Sequence, residues 1–196
     1  MNTDFDLVHF ISSHQLHSRF ILGIDGLSRS GKTTLVNELK TALTKEALPF
    51  RIFHIDDHIV ERARRYGTGH EEWYEYYQLQ WDTEWLRGNF FDGLKDRDEL
   101  HLPYYNSESD TQQFKRITLP KKCVVIVEGV FLQRKEWKEY FDTIIYLDCP
   151  REKRYARESE STQQNLWKFE NRYWKAEDHY VKTCDPIGRA DFVIHY

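Results

Sequence analysis

A three-layer α/β/α fold built on a mostly parallel central sheet is what this sequence predicts, and three observations predict it. Apolar runs at 20–24, 123–127 and 143–147 read as strands buried on both faces, the pattern that parallel pairing produces. Stretches with apolar residues at helical spacing alternate with those runs, as in βαβ units. The third observation is the stretch from Ile21 to Leu35, in which strand, glycine-rich turn and helix follow one another without a break. At 196 residues the chain is long enough for one full α/β core. The expectation is a single domain over 1–196, with a hairpin excursion at 100–119 and a helical lid at 150–163.

In chain order, residues 3–15 read as a short helix, with Thr3 or Asp4 as its cap and Leu7, Phe10 and Ile11 as its apolar stripe. Phe20, Ile21, Leu22 and Ile24 form the first strand. Gly26, Gly31, Lys32 and Thr33 then satisfy G-x-x-x-x-G-K-[ST], the phosphate-binding loop. A turn of this kind points backbone N–H groups inward, and the helix that follows adds its positive N-terminal end. Gly26, Ser28, Arg29, Ser30, Gly31, Lys32, Thr33 and Thr34 are therefore the nucleotide-binding candidates. The Lys32 ammonium suits β- and γ-phosphate oxygens, and the Thr33 hydroxyl suits a magnesium ion bridging them. Leu35, Val36, Leu39, Ala42 and Leu43 give the helix its buried face, and it ends near Lys45.

A second strand is expected over Arg51–Ile55, running into the acidic pair Asp56-Asp57. Ligands of open α/β sheets bind beyond the carboxyl ends of strands, so a carboxylate here can serve a reacting hydroxyl or a metal-bound water. Capping of the next helix is the alternative use of either aspartate. His54 is expected in the strand and His58 facing solvent, which argues against a transition-metal site. Trp73, Tyr74, Tyr76, Tyr77, Trp81, Trp85, Phe90 and Phe91 make the next segment dense in aromatics. Core or subunit interface is the first reading of such a segment, and a pocket for a flat ligand the second. Asp82 either caps the following helix or accepts hydrogen bonds from substrate hydroxyls.

Alternation at Leu100, Leu102 and Tyr104, and again at Phe114, Arg116 and Thr118, predicts a β-hairpin outside the main sheet. The run 123–127 ends at Glu128-Gly129, where an acid can orient magnesium or its water. Lys135–Tyr140 reads as a helix and Thr143–Leu147 as the next strand. Asp148-Cys149-Pro150 opens a basic helix in which Arg154 and Arg157, three apart, are expected to share a face. Arginines there can neutralise charge on a transferred phosphoryl group; a solvated basic helix paired with Glu152, Glu158 and Glu160 is the plainer reading. Phe169, Tyr173, Ala176 and Tyr180 mark a long amphipathic helix, and residues 191–195 a last short strand.

Composition narrows the partner classes. A formal charge of −4 gives no electrostatic case for nucleic acid. No apolar run is long enough to span a bilayer, and Asp4, Asp6, His9 and His14 are foreign to a signal peptide. Three widely spaced cysteines suggest neither disulfide framework nor zinc site. A cytoplasmic protein acting on a small molecule is the expectation, with self-association left open. A guanine-reading Asn-Lys-x-Asp is absent, which disfavours a GTPase-type switch. A non-catalytic nucleotide-binding regulator shares the same loop and remains the alternative.

With these elements placed, the chain resembles the uridine kinase-like branch of P-loop kinases, which includes phosphoribulokinase, pantothenate kinase and nicotinamide riboside kinase. The resemblance runs from Ile21 to the end and is carried by the phosphate loop together with weaker motifs in matching order. His-Ile-Asp-Asp at 54–57 is similar to the segment holding that family's catalytic aspartate, and Trp81-Asp82 to its aromatic-Asp before a helix. Leu-Pro-Tyr-Tyr at 102–105 is similar to its Ile-Pro-x-Tyr, Val-Glu-Gly-Val at 127–130 to its Glu-Gly-Ile, and Arg-Tyr-Ala-Arg at 154–157 to its lid Arg-x-x-Arg. Residues 190–194 are similar to its Ala-Asp-x-Val-Ile. The resemblance implies a P-loop NTPase fold and transfer of the γ-phosphoryl group of ATP or GTP, with Mg2+, to a hydroxyl of a small molecule such as a nucleoside. By the same resemblance Asp56 is the general base with Asp57 in reserve, and Arg154 and Arg157 close over the phosphates. Arg154 and the Pro186–Arg189 turn are the adenine-side candidates. Asp57, Asp82 and Tyr105 stand on the substrate side, and Thr33 and Glu128 on the metal side. Two departures bear on the acceptor. His58 and Ile59 stand where uridine kinases carry an aromatic residue, and Asp110 stands where a gapless reading places a pyrimidine-binding histidine.

Overall fold

The computed structural model describes Leu7, residues 9–11 and residues 17–196. Of the helix expected over 3–15, Leu7, His9, Phe10 and Ile11 are helical, and Leu7 and Ile11 are buried; the rest of that expectation lies outside the described residues.

Five parallel strands form the central sheet: β1 (Phe20–Gly26), β2 (Phe50–His54), β5 (Val124–Gly129), β6 (Thr143–Asp148) and β7 (Phe192–His195), in the order β2-β5-β1-β6-β7. Every residue of β1 and β5 is buried, which is why both read as unbroken apolar runs. Successive side chains of β5 point to opposite faces. Val124 and Ile126 pack with Leu22, Ile24, Ile145 and Leu147 under helix α1 (Lys32–Lys45), whose Leu35, Val36, Leu39 and Leu43 close that layer. Val125 and Val127 face the other layer, where Trp81, Phe90, Phe91, Phe131, Trp137 and Tyr180 fill the core. Much of the aromatic segment is thus core, as its plainer reading held.

The hairpin pairs β3 (Glu99–Asn106) with β4 (Thr111–Thr118) antiparallel in a separate two-stranded sheet. Its connecting turn is tied down by Asp110, whose Oδ1 accepts the Arg62 backbone N–H at 2.9 Å and the Tyr105 hydroxyl at 2.8 Å.

Several boundaries differ from the sequence reading. The second strand runs one residue earlier than expected, and Ile55–His58 forms a 3-10 turn that carries both aspartates. His58 does not face solvent: it is 1% exposed, its Nδ1 hydrogen-bonds the Pro103 carbonyl at 2.7 Å, and Phe90 and Tyr104 flank its ring. In place of a helix over Lys135–Tyr140 there are turns and a single 3-10 segment, Lys138–Tyr140. The reason lies in Arg134, buried against Trp137 and bonded to the Tyr77 carbonyl and the Gln78 amide, so that side chains rather than an intrahelical ladder fix this stretch. The long amphipathic helix starts as a π-helical turn, Phe169–Tyr173, before the regular helix Trp174–Cys184.

Candidate active site

The sheet order builds the site. Strand β5 lies between β1 and β2, and its Glu128 is in register with Ile24 on one side and His54 on the other. The carboxyl ends of these three strands therefore bring together the phosphate loop, Glu128 and the turn bearing Asp56. They open into a cleft of about 880 Å³ lined on this side by residues 28–34, Asp56 and Glu128.

Within the loop, Gly31 has φ 106°, a backbone conformation that strains any residue with a Cβ and that glycine adopts freely where α1 begins. Lys32 is 7% exposed and donates to the Leu27 carbonyl at 3.0 Å. Desolvation holds its ammonium below the ordinary value, while the carboxylates of Glu128, Asp56 and Asp25 pull it back up. The Ser30 hydroxyl is buried without a hydrogen-bond partner in the floor of the same loop. A lysine with donors to spare and an unpartnered hydroxyl suit a polyanion such as a nucleotide's phosphate chain. Thr33 and Thr34 are open to the cleft, and Glu128 stands opposite as a hard oxygen donor of the kind magnesium takes.

Asp56 lies in the cleft lining and is itself solvent-accessible there. Desolvation raises its carboxyl above the usual value, Lys32 opposes that shift, and Glu128 and Asp57 add to it. Asp57, one residue on, is not among the cleft-lining residues, and its charge acts on Tyr104 and His58 as well as on Asp56 and His54. Of the two aspartates on the turn, Asp56 is the one in the cleft lining. Glu128 itself is held by His54, whose Nδ1 lies 2.5 Å from Oε2; that hydrogen bond raises the imidazole above its ordinary value.

The two lid arginines both line the cleft and reach adjacent carbonyls of the phosphate loop, but they differ in burial and in partners. Arg154 lies in the helix Arg151–Ala156 and is 5% exposed, with its guanidinium bonded to Glu177 at 2.8 and 3.0 Å and to the carbonyls of Cys149 and Ser28, each at 3.0 Å. Arg157 caps that helix at its C-terminal end and reaches across the cleft rim to the Arg29 carbonyl at 2.8 Å. Glu158 pairs with Arg29 at 2.9 Å, so the lid rests on the loop through three side chains.

The candidates for the substrate side, Asp82 and Tyr105, stand away from the cleft lining. Asp82 caps the helix Thr83–Asn89 through the Trp85 N–H and pairs with Arg64 at 2.9 Å, while Tyr105 bridges Arg65 and Asp110. The Pro186–Arg189 turn is likewise outside the lining. Ile59, Tyr66, Tyr76, Gln80, Arg172 and Tyr173 form this wall instead. Sequence reasoning named Tyr76 only within an aromatic run and passed over Arg172 and Glu177. A signal for Glu177 existed: a carboxylate three residues before Tyr180 sits on the helix's apolar stripe, where an unpaired charge is unfavourable.

Comparison with known proteins gives a consistent picture. Residues 21–160 match the Phosphoribulokinase / Uridine kinase family. Over 141 residues the chain is 30% identical to a uridine kinase of Staphylococcus aureus (strain JH9) and 28% identical to that of Staphylococcus haemolyticus (strain JCSC1435), in each case covering 70% of this chain. The match spans 65% of the length of those uridine kinases. A solved structure described as a possible uridine kinase from Bacillus stearothermophilus is 49% identical, with a TM-score of 0.87 over 97% of this chain and 96% of that one. A D-glycerate 3-kinase from Cryptococcus neoformans shares the fold at 10% identity, with a TM-score of 0.60 over 98% of this chain and 92% of that one.

Proposed function

The chain belongs to the phosphoribulokinase and uridine kinase family, and from that premise we propose that it transfers the γ-phosphoryl group of ATP or GTP to a hydroxyl of a small molecule. One observation carries the reading: Asp56, Lys32 and Glu128 converge on a single cleft from three different elements, with the phosphate loop as its floor. The acceptor would lie between Asp56 and the wall formed by Tyr66, Tyr76, Gln80 and Arg172.

In this reading the loop amides and Lys32 bind the nucleotide's phosphates and keep the terminal one facing Asp56. Asp56 accepts the proton of the attacking hydroxyl; its raised carboxyl makes it a better proton acceptor than an aspartate with an ordinary pKa once it is ionised. Arg157, open at the rim, is the lid group free to meet the charge on the transferred group. A magnesium ion, held by the Thr33 hydroxyl and by Glu128 through water, would supply charge neutralisation between the phosphates. Among the described residues no cluster of three or more His, Cys, Asp or Glu side chains offers a separate metal site.

The test is ADP release with Mg-ATP or Mg-GTP across a panel of nucleosides, sugars, sugar acids and vitamin precursors. Acceptor-dependent release that disappears in Lys32→Ala supports the proposal. Nucleotide binding with no acceptor consumed across the panel would favour a regulator that binds and does not transfer.

A further inference from the structure

The helix Trp174–Cys184 touches the phosphate loop twice, from one face. Glu177 and Tyr180 are three residues apart, so their side chains project side by side. Tyr180 donates to Asp25 Oδ2 at 2.5 Å, and Asp25 Oδ1 accepts the Gly26 N–H at 2.8 Å where the loop begins. Glu177 binds both terminal nitrogens of Arg154, and Arg154 Nη1 donates to the Ser28 carbonyl inside the loop. The Ser28 backbone N–H faces the Glu177 carboxylate as well.

Arg154 is therefore committed. Its guanidinium makes four hydrogen bonds, all to protein, and is 5% exposed, whereas Glu177 is 2% exposed. A buried ion pair is weak evidence for stability, because desolvation offsets the attraction. What a two-pronged carboxylate–guanidinium contact supplies is fixed geometry. The geometry fixed here is that of a loop whose backbone receives phosphate oxygens. A loop already held in its receiving form loses less conformational freedom when a ligand arrives.

We propose that Glu177 is a positioning residue for the nucleotide: it holds Arg154 on the Ser28 carbonyl and so sets the phosphate loop before nucleotide binds. This rests on the nucleotide-binding reading above and divides the two lid arginines by role. Arg154 acts on the loop backbone, and Arg157 remains for the phosphate. The loop cradles the phosphates that ADP and ATP share, so the consequence reaches both nucleotides. An arginine that met the γ-phosphate would matter for ATP alone.

Calorimetric titration of Mg-ADP and of the non-hydrolysed analogue Mg-AMPPNP, with melting curves of the same samples, separates these cases. Glu177→Gln keeps shape and one hydrogen bond, and Arg154→Lys keeps charge and loses the fork. Each is expected to weaken both nucleotides by a similar factor, roughly tenfold or more, at temperatures where the variants are fully folded. Unchanged dissociation constants in a folded variant, even one that melts earlier, would make the pair merely structural and overturn the proposal. Weakening confined to the triphosphate analogue, or tighter binding of it in Glu177→Gln, would overturn it in favour of direct contact between Arg154 and the γ-phosphate. Should a single variant fail to fold, Glu177→Met combined with Arg154→Met leaves no buried charge unpaired and is read by the same constants. A wild type that binds neither nucleotide would remove the nucleotide reading itself, a result distinct from equal binding by wild type and variants.

Discussion

Asp56 stands where opposed influences meet. Desolvation raises the carboxyl, Lys32 lowers it, and Asp57 beside it is outside the cleft lining. Asp56→Asn keeps the size and removes the proton acceptor, so kcat is expected to fall about 10²–10⁴-fold with little change in nucleotide affinity. Steady-state kinetics beside a titration of Mg-ADP check this. Asp57→Asn is the control, and a large loss there with a near-silent Asp56→Asn would hand the role to Asp57. The sequence placed both acids at the end of a strand and could not choose between them, because the choice depends on how a 3-10 turn rotates its side chains. His58 shows the same limit more sharply. Histidine in a polar stretch reads as surface, yet this one is buried with its Nε2 unpartnered, and burial lowers its pKa. The sign follows: the unfolded chain takes up a proton near pH 6.5 and the folded chain only at lower pH, so this contribution to stability falls as pH drops through that window. Urea unfolding of wild type and His58→Leu at pH 7.5 and pH 5.5 isolates it. The variant is expected to be less stable by about 1–2 kcal/mol at the higher pH, having lost the bond to Pro103, and the gap should narrow in acid. A gap that stays constant would show that His58 does not titrate differently in the two states.

Elements meet the chemistry at Gly129. A Cβ there would lie 2.1 Å from Ile55 Cγ2 and 3.0 Å from Ile55 Cβ, so the end of β5 and the turn after β2 touch only because this position carries no side chain. Ile55 opens the turn that presents Asp56. Gly129→Ala must push strand and turn apart, and misplacing a catalytic group by about 1 Å costs on the order of 10²-fold in rate. Turnover is expected to drop by about that factor, while Mg-ADP affinity changes far less, since Lys32 and the loop amides sit on the far side of β5. A variant with full kcat would show that the turn absorbs the methyl group. Strands β1, β5 and β6 were legible in the sequence because both of their faces are buried and their apolar runs are unbroken. The missing helix at 135–140 was not legible: its apparent periodicity comes from Trp137 and Tyr140 packing on Phe91, a tertiary contact that no local pattern encodes. The aromatic wall of the cleft was hidden for a related reason. Tyr76 and Tyr77 are neighbours in one helix and both touch Phe131, and only packing sends Tyr77 on to Tyr180 in the core while Tyr76 reaches the cleft.

For the whole molecule, the phosphate loop was legible because it is local: one motif, one strand before it and one helix after it. The contacts that hold the loop are not local. Asp25 reaches Tyr180, and Ser28 reaches Glu177 through Arg154, over sequence separations of 155 and of 126 plus 23 residues. These long-range ties make nucleotide binding a property of the folded chain and not of the motif. A ligand that binds the folded state alone stabilises it by RT ln(1 + [L]/Kd), about 2.7 kcal/mol at one hundred times Kd. In a domain of this size each kcal/mol moves Tm by about 2–4 °C, so saturating Mg-ADP is expected to raise Tm by about 5–10 °C. Lys32→Ala should remove most of that rise. The lysine is held in a desolvated site for which its charge is poorly suited without a ligand, so the unliganded variant should still melt in one cooperative transition. Thermal melts of both proteins with and without Mg-ADP are sufficient. An equal rise in wild type and Lys32→Ala would place the nucleotide somewhere other than this loop, and no rise in either would separate the fold from the function its family membership implies.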